Sequence, residues 1–158
     1  MKKIIAGAAI CFATFVATYA MSSISYAAED HPTQKDATAM VDRGAAFLKA
    51  NGKDQLIAHV NAKDPQFVDG ELYLIVLDTA GVQLAHPMNP KLIGKAMLDV
   101  PDPDGKMFRK DRIDVANTKG SGWVDYKYKN PIDNKIEQKT AYVLKVGDVI
   151  LTAGVYKD

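Results

Sequence analysis

The chain changes from helical to β-strand patterning at the stretch LYLIVLDTAGVQLA, residues 72–85. Residues 72–77 form an almost unbroken apolar and aromatic run, which is typical of a central strand covered on both faces. Residues 78–81 carry the small and polar side chains of a turn, and residues 82–85 return as a second strand. The stretch therefore predicts an antiparallel hairpin.

The segment before this hairpin has a helical period. Its apolar residues form one stripe, made of Ala37, Met40, Val41, Gly44, Phe47 and Leu48. Thr33 or Asp36 can cap the start of this helix, and Asn51-Gly52 can end it. A second, shorter helix is predicted over residues 54–61, and Asp64-Pro65 stops it.

The segment after the hairpin divides into an irregular part and a meander. Residues 86–119 contain prolines that exclude long regular elements, apart from a short helix over residues 108–117. Three strands follow, over residues 122–129, 138–146 and 149–156, the last two joined by the tight turn Gly147-Asp148. The whole pattern predicts an α+β fold: an antiparallel sheet of about five strands, with helices on one face and the irregular crossover on the other.

The N-terminal 27 residues have the features of a secretory signal peptide. Met1-Lys2-Lys3 precedes an apolar run, and Ser25 and Ala27 place small residues where a signal peptidase cuts. We therefore expect cleavage after Ala27, a flexible lead and helix start over residues 28–36, and one domain over residues 37–158. A retained membrane anchor over residues 4–21 is the alternative.

Composition and motifs exclude several classes of function. The 20 basic residues are balanced by 19 acidic ones, which gives no electrostatic reason to expect nucleic acid or an anionic membrane as a partner. The single cysteine, Cys11, lies in the predicted signal peptide, so a disulfide or thiol nucleophile is not expected. No metal-ligand spacing joins His31, His59 and His86, and neither a haem motif nor a Gly-x-Ser-x-Gly elbow occurs. Residues 99–105 resemble part of a calcium loop, but an acidic turn is predicted because Val100 occupies the first ligand position. The sequence thus predicts no metal, no cofactor and no enzyme.

Aromatic and basic residues around the crossover are candidates for ligand contact. Strand alternation places Tyr126 and Tyr128 on one side of their strand and Trp123 on the other. The two tyrosines either fill the core or offer their hydroxyls to a polar ligand. His86, at the junction of strand and crossover, either binds an anion or caps a turn, and Lys139 is either solvated or the partner of a carboxylate.

A series of short blocks supports the second interpretation: LYLIVLD (72–78), Gly81, LAHP (84–87), LIGK (92–95), DGK (104–106), GWVDYKY (122–128), KTAYV (139–143) and GVY (154–156). In this order they resemble the single Cache domain family, the extracytoplasmic PAS-like sensor modules of bacterial chemoreceptors and histidine kinases. The resemblance implies a PAS-like fold whose long N-terminal helix lies on one face of a five-stranded sheet. It also implies that the opposite face binds a small molecule, often a short organic acid. The implied contacts are Tyr73, His86, Lys95, Trp123, Tyr126, Tyr128 and Lys139.

The sequence stops at Asp158, directly after the last predicted strand, whereas family members that signal across a membrane continue into a transmembrane helix and an output module. We therefore expect a periplasmic module that binds a small carboxylate and passes its ligand state to a separate membrane-bound chemoreceptor or histidine kinase. A homodimer through the long helix is a further expectation. The alternative is a protein-interaction accessory of an envelope sensor that needs no metabolite.

Overall fold

The computed structural model describes residues 31–157, which form three α-helices and six β-strands. The helices are α1 (Gln34–Asn51), α2 (Lys53–Asn61) and α3 (Phe108–Lys119). The strands are β1 (Val68–Asp69), β2 (Leu72–Asp78), β3 (Gln83–Ala85), β4 (Ser121–Lys129), β5 (Ile136–Val146) and β6 (Val149–Tyr156). The predicted signal peptide and its cleavage site lie outside the described residues. Within residues 31–157 no helix has both the length and the apolar character needed to cross a membrane.

The strands form one antiparallel sheet in the order β1-β2-β6-β5-β4, and β3 pairs with the far end of β2. The predicted α+β class, the hairpin and the three-strand meander are confirmed. The two-residue strand β1 and a short 3-10 helix, Pro90–Leu92, were not predicted.

Helix α1 begins with a capping box. The Thr33 hydroxyl accepts a hydrogen bond from the Asp36 backbone N–H, and the Asp36 carboxylate accepts one from the Thr33 backbone N–H. The helix lies close to the sheet at Gly44, where a Cβ atom would come within 2.6 Å of the Leu74 side chain. The predicted apolar stripe of α1 therefore packs on the sheet of the same chain.

The sheet has two covered faces, which we call the α1 face and the α3 face. On β2 the odd and even positions separate: Leu72, Leu74 and Val76 join the core beneath α1 and α2. Tyr73, Ile75 and Leu77 join a second core with α3. Both faces of β2 are buried, as its apolar run predicts.

The crossover is tied to the edge strand β4 by the acidic turn. The Asp102 carboxylate accepts hydrogen bonds from the backbone N–H groups of Asp104, Lys106 and Lys127, the last of which lies in β4. These bonds lower the pKa of Asp102, with the one from Lys127 contributing most. The turn is thus a structural clamp that positions the chain just before α3.

Candidate functional site

Five of the seven predicted contact residues lie together on the α3 face. Tyr73 comes from β2, His86 follows β3, Tyr126 and Tyr128 come from β4, and Lys139 comes from β5. Register brings them together, because Lys139 pairs with Tyr126 on one side and with Tyr156 on the other. The alternation predicted along β4 is confirmed, because Tyr126 and Tyr128 both lie on the α3 face.

An aromatic wall separates the sheet from α3. The ring of Phe108, the first residue of α3, stacks on Tyr126 at a centroid distance of 4.2 Å and an interplanar angle of 1°. Tyr128 meets both rings edge-on at about 6 Å. Burial raises the pKa of Tyr73 and of Tyr126, so their hydroxyls stay protonated. This aromatic cluster is therefore apolar on its ring faces and carries protonated hydroxyl groups.

Lys139 is a buried ammonium-bearing side chain without a hydrogen-bond partner. Only 2% of the residue is exposed, and its Nζ lies 4.5 Å from the ring centroid of Tyr73 and 4.0 Å from that of Tyr156. Burial lowers the pKa of Lys139 from 10.5 to about 7, Arg112 lowers it further, and Glu71 acts in the opposite direction. Two aromatic rings stabilise the charge only in part, so an anion would be a strong partner for it.

Arg112, which the sequence reasoning missed, supplies a second buried cation. It is 4% exposed, its guanidinium lies 4.5 Å from the Tyr126 ring centroid, and its Nε has no hydrogen-bond partner. Arg109, one helical turn earlier, lies over Phe108 and donates from Nη1 to the Val100 carbonyl at 2.8 Å. The short helix predicted within the crossover could have identified Arg112, because residues 108, 109 and 112 lie on one side of such a helix.

His86 is a neutral hydrogen-bond donor in this environment. Its Nδ1 accepts a hydrogen bond from the backbone N–H of Asn89 at 3.0 Å, which leaves the ring proton on Nε2. Burial lowers the pKa of His86 to about 4, and the positive charges of Arg112 and Lys139 contribute. The imidazole therefore stays uncharged at neutral pH.

A β-bulge on β3 brings Gln83 to the same face. Val76 pairs with Ala85 and the next residue of β2, Leu77, pairs with Gln83, so Leu84 is the extra residue. Ala85 and Leu84 pack in the α1-face core. Gln83 consequently lines the α3-face cavity, and simple alternation along β3 would have placed it on the opposite face from His86.

Unpaired polar atoms concentrate in this region. Among residues 31–157, five buried side-chain atoms lack a hydrogen-bond partner: Glu71 Oε1, Gln83 Oε1, Arg112 Nε, Lys139 Nζ and Thr152 Oγ1. Thr152 lies on the α3 face because its register partners Ile75 and Val143 belong to that core. Glu71 Oε1 lies 3.5 Å from His31 Nδ1. Because buried polar groups are usually hydrogen-bonded, the other four atoms mark this region as a candidate binding site.

The site consists of a small inner cavity and an outer cleft. The inner cavity, about 10 Å³, is enclosed by Tyr73, Ile75, Gln83, His86, Leu92, Phe108, Arg109, Arg112, Tyr126 and Tyr128. The cleft, about 320 Å³, is lined by Tyr73, His86, Met88, Asn89, Tyr128, Lys129, Asn130, Pro131 and Asn134. Tyr73, His86 and Tyr128 border both spaces. The cleft thus leads from the surface to the edge of the buried cluster.

Trp123 and Lys95 lie outside this cluster, contrary to the prediction. Trp123 alternates onto the α1 face, where its ring centroid lies 5.3 Å from that of Tyr142, and 38% of the residue is exposed. The strand does not bulge at Gly122, so the tryptophan cannot turn to the α3 face. Lys95 is exposed, and its contact with β3 is made by its backbone carbonyl, which accepts from the Gln83 N–H at 3.1 Å.

Comparisons with known proteins agree with this architecture. A curated relative, the methyl-accepting chemotaxis protein McpP of Pseudomonas putida, is 29% identical over 92 residues. The match covers 57% of this chain but only 17% of that protein. A solved structure of a methyl-accepting chemotaxis protein from Vibrio parahaemolyticus has a TM-score of 0.68 at 21% identity, and the match covers 78% of this chain and 88% of that one.

A second solved structure is described as the structural basis for carboxylic acid recognition by a Cache chemosensory domain. It has a TM-score of 0.62 at 25% identity, with 78% of this chain and 88% of that chain covered. The family model for single Cache domain 2 matches residues 43–158. This family match points to a non-enzymatic sensing role. The chain therefore belongs to the single Cache domain 2 family, a family of extracytoplasmic sensor modules.

Proposed function

We propose that this protein is a periplasmic binding module for a short organic acid. The observation that carries the proposal is the pair of buried cations on the α3 face, Lys139 and Arg112, each with a nitrogen that has no hydrogen-bond partner. Two like charges buried together are unfavourable unless anions compensate them, and Glu71 offsets the low pKa of Lys139 only in part. A carboxylate matches both, since it accepts hydrogen bonds from ammonium and guanidinium groups.

Neutral groups complete the recognition of an acid. The Nε2–H of His86 and the hydroxyls of Tyr73 and Tyr128 are donors at the border between the inner cavity and the cleft. The aromatic rings around them would enclose a short carbon skeleton. The cleft volume of about 320 Å³ lies at the lower end of the range for small-molecule sites, which favours a ligand of a few carbon atoms.

The comparisons support the same ligand class. The structure described as a carboxylic acid recognition domain shares the fold at 25% identity, although its ligand belongs to that protein. The neighbours include a periplasmic sensor domain of a chemotaxis protein. We accordingly propose export, cleavage after Ala27, and transfer of the ligand state to a separate membrane-bound chemoreceptor or histidine kinase.

Thermal unfolding with a panel of short mono- and dicarboxylates and amino acids tests the ligand class. An acid present at 100 times its dissociation constant should stabilise the protein by about 2.7 kcal/mol. Arg112→Met and Lys139→Met should each abolish the acid-induced shift, whereas Lys95→Met, at an exposed lysine, should retain it. The proposal fails if no acid raises the wild-type midpoint, or if both site variants respond like wild type.

Affinity capture from envelope extracts tests the signalling role. With the acid present, the protein should retain a receptor or kinase in an amount that depends on the acid, and His86→Ala should remove that dependence. Capture that is the same with and without acid, and the same for His86→Ala, would instead favour an interaction accessory without a metabolite. Sedimentation of the purified protein tests the expected pairing of two copies through α1.

A further inference from the structure

Gln83 is placed in the inner cavity by a special backbone feature. The bulge at Leu84 interrupts the two-residue alternation of β3. The Gln83 side chain therefore lies on the α3 face. The backbone around it is fixed, since its N–H donates to the Lys95 carbonyl at 3.1 Å and its carbonyl accepts from the Gly94 N–H at 2.9 Å. Its side chain therefore enters the cavity from a rigid support.

The side-chain amide of Gln83 has an unfilled interaction. The residue is 3% exposed, and its Oε1 has no hydrogen-bond partner. Neither His86 nor Arg112, which border the same cavity, donates to it. Leaving a buried acceptor unpaired is unfavourable, so a leucine or methionine would suit the fold better at this position. A ligand that donates a hydrogen bond would satisfy this amide oxygen.

We propose that Gln83 selects 2-hydroxy acids over unsubstituted acids of the same length. The inference rests on the proposed function, in which the carboxylate is held by the buried cations Lys139 and Arg112, with His86 as a neutral donor beside Arg112. Because Gln83 borders the same cavity of about 10 Å³ as Arg112 and His86, a group that reaches its Oε1 must be attached close to the carboxylate. A hydroxyl on the adjacent carbon meets that requirement and donates to Oε1.

Gln83 reaches the inner cavity from one side only. Gln83 approaches from β3, whereas Phe108 and Tyr126 cover the cavity from α3 and β4. A hydroxyl that reaches Gln83 therefore points in one direction from the ligand's chiral carbon. One enantiomer should bind more tightly than the other.

Calorimetric titration with L-lactate, D-lactate and propionate tests the inference on the protein expressed from its full sequence. These acids share a three-carbon skeleton and differ only in the hydroxyl and its configuration. One lactate enantiomer should bind the wild type about 10-fold more tightly than propionate, the value of one buried neutral hydrogen bond. In Gln83→Met this preference should fall to about 1, whereas Gln138→Met, at an exposed glutamine of β5, should keep it.

The outcomes separate the inference from the proposed function. If propionate binds the wild type as tightly as both lactates do, the inference alone is overturned, and this comparison needs no variant. A lactate preference that persists in Gln83→Met also overturns it. If none of the three acids binds, the inference and the proposed site for short acids fail together.

Discussion

Replacing Lys139 by methionine should stabilise the folded protein. Lys139 is 2% exposed and its amine has no hydrogen-bond partner, so folding removes it from water without full compensation. Methionine has a similar length and no charge, and it would fill the same space between Tyr73 and Tyr156. The substitution therefore removes the free-energy cost of burying the Lys139 amine and keeps the packing between the two rings.

The size of this cost follows from the pKa of Lys139, which is lowered from 10.5 to about 7. In the unfolded chain at pH 7 the amine is fully protonated, whereas in the folded protein it is about half protonated. Linkage gives a cost of about 4 kcal/mol for holding the lysine in the folded state at pH 7. Lys139→Met should raise the free energy of unfolding by about that amount.

The sign of the pH dependence provides a second check. Between about pH 7 and 10.5 the unfolded state binds more protons than the folded state, so wild-type stability rises with pH through this window. Lys139→Met lacks this group. The stability difference between the two proteins should therefore narrow from about 4 kcal/mol at pH 7 to about 2 kcal/mol at pH 9.

Urea unfolding of both proteins at pH 7 and pH 9, followed by circular dichroism, measures the difference. Lys95→Met serves as the matched control, because it makes the same chemical change at an exposed position and should alter stability by less than about 0.5 kcal/mol. A Lys139→Met variant no more stable than wild type at pH 7 would refute the reasoning, as would a difference that stays constant up to pH 9.

Three further predictions concern the same cluster and its supporting sheet. The pKa of His86 is lowered from 6.5 to about 4, so between these pH values the unfolded state binds more protons than the folded state. His86 should therefore lower the free energy of unfolding by about 3 kcal/mol as the pH falls from 6.5 to 4. Urea titrations of His86→Asn should lack this part of the acid sensitivity. Gly154→Ala should lower the urea midpoint more than Gly44→Ala, since a Cβ at Gly154 lies 2.7 Å from the Thr140 carbonyl oxygen, while at Gly44 it meets the movable end of a leucine side chain. Acid affinity, measured calorimetrically from pH 6 to 9, should weaken above pH 7 because binding favours protonated Lys139, and an affinity that is constant over this range would contradict that coupling.

Local patterns were sufficient to predict most of the fold. The tight turn at Gly147-Asp148 and the capping residue Thr33 act through interactions within a few positions of the chain. The apolar run at residues 72–77 pairs with distant β6, but its unbroken pattern alone indicates a strand buried on both faces. Alternation along β4 also placed Tyr126 and Tyr128 correctly on one face, because a regular strand repeats every two residues.

The rest of the site depends on features that local patterns do not encode. The bulge at Leu84 reverses the alternation that would assign Gln83 to the opposite face. Arg112 reaches the site only because the crossover helix packs over Tyr126, a contact between distant parts of the chain. Lys95 was predicted from its block, but the structure uses its backbone and leaves its side chain exposed.

The cations that would recognise an anion lie on two different structural layers. Lys139 belongs to a central strand of the sheet, whereas Arg112 belongs to α3, which covers it. Their mutual repulsion opposes the packing of α3 on the sheet, and it is part of the reason that the pKa of Lys139 is low. An anion held by both would replace this repulsion with two attractions and draw the helix and the sheet together. The crossover before α3 is clamped to β4 through Asp102, so a change in the position of α3 would be transmitted to the edge of the sheet. Lys139 and Arg112 thus destabilise the packing of α3 on the sheet when no anion is bound. Through the same two residues a bound anion would change the position of α3.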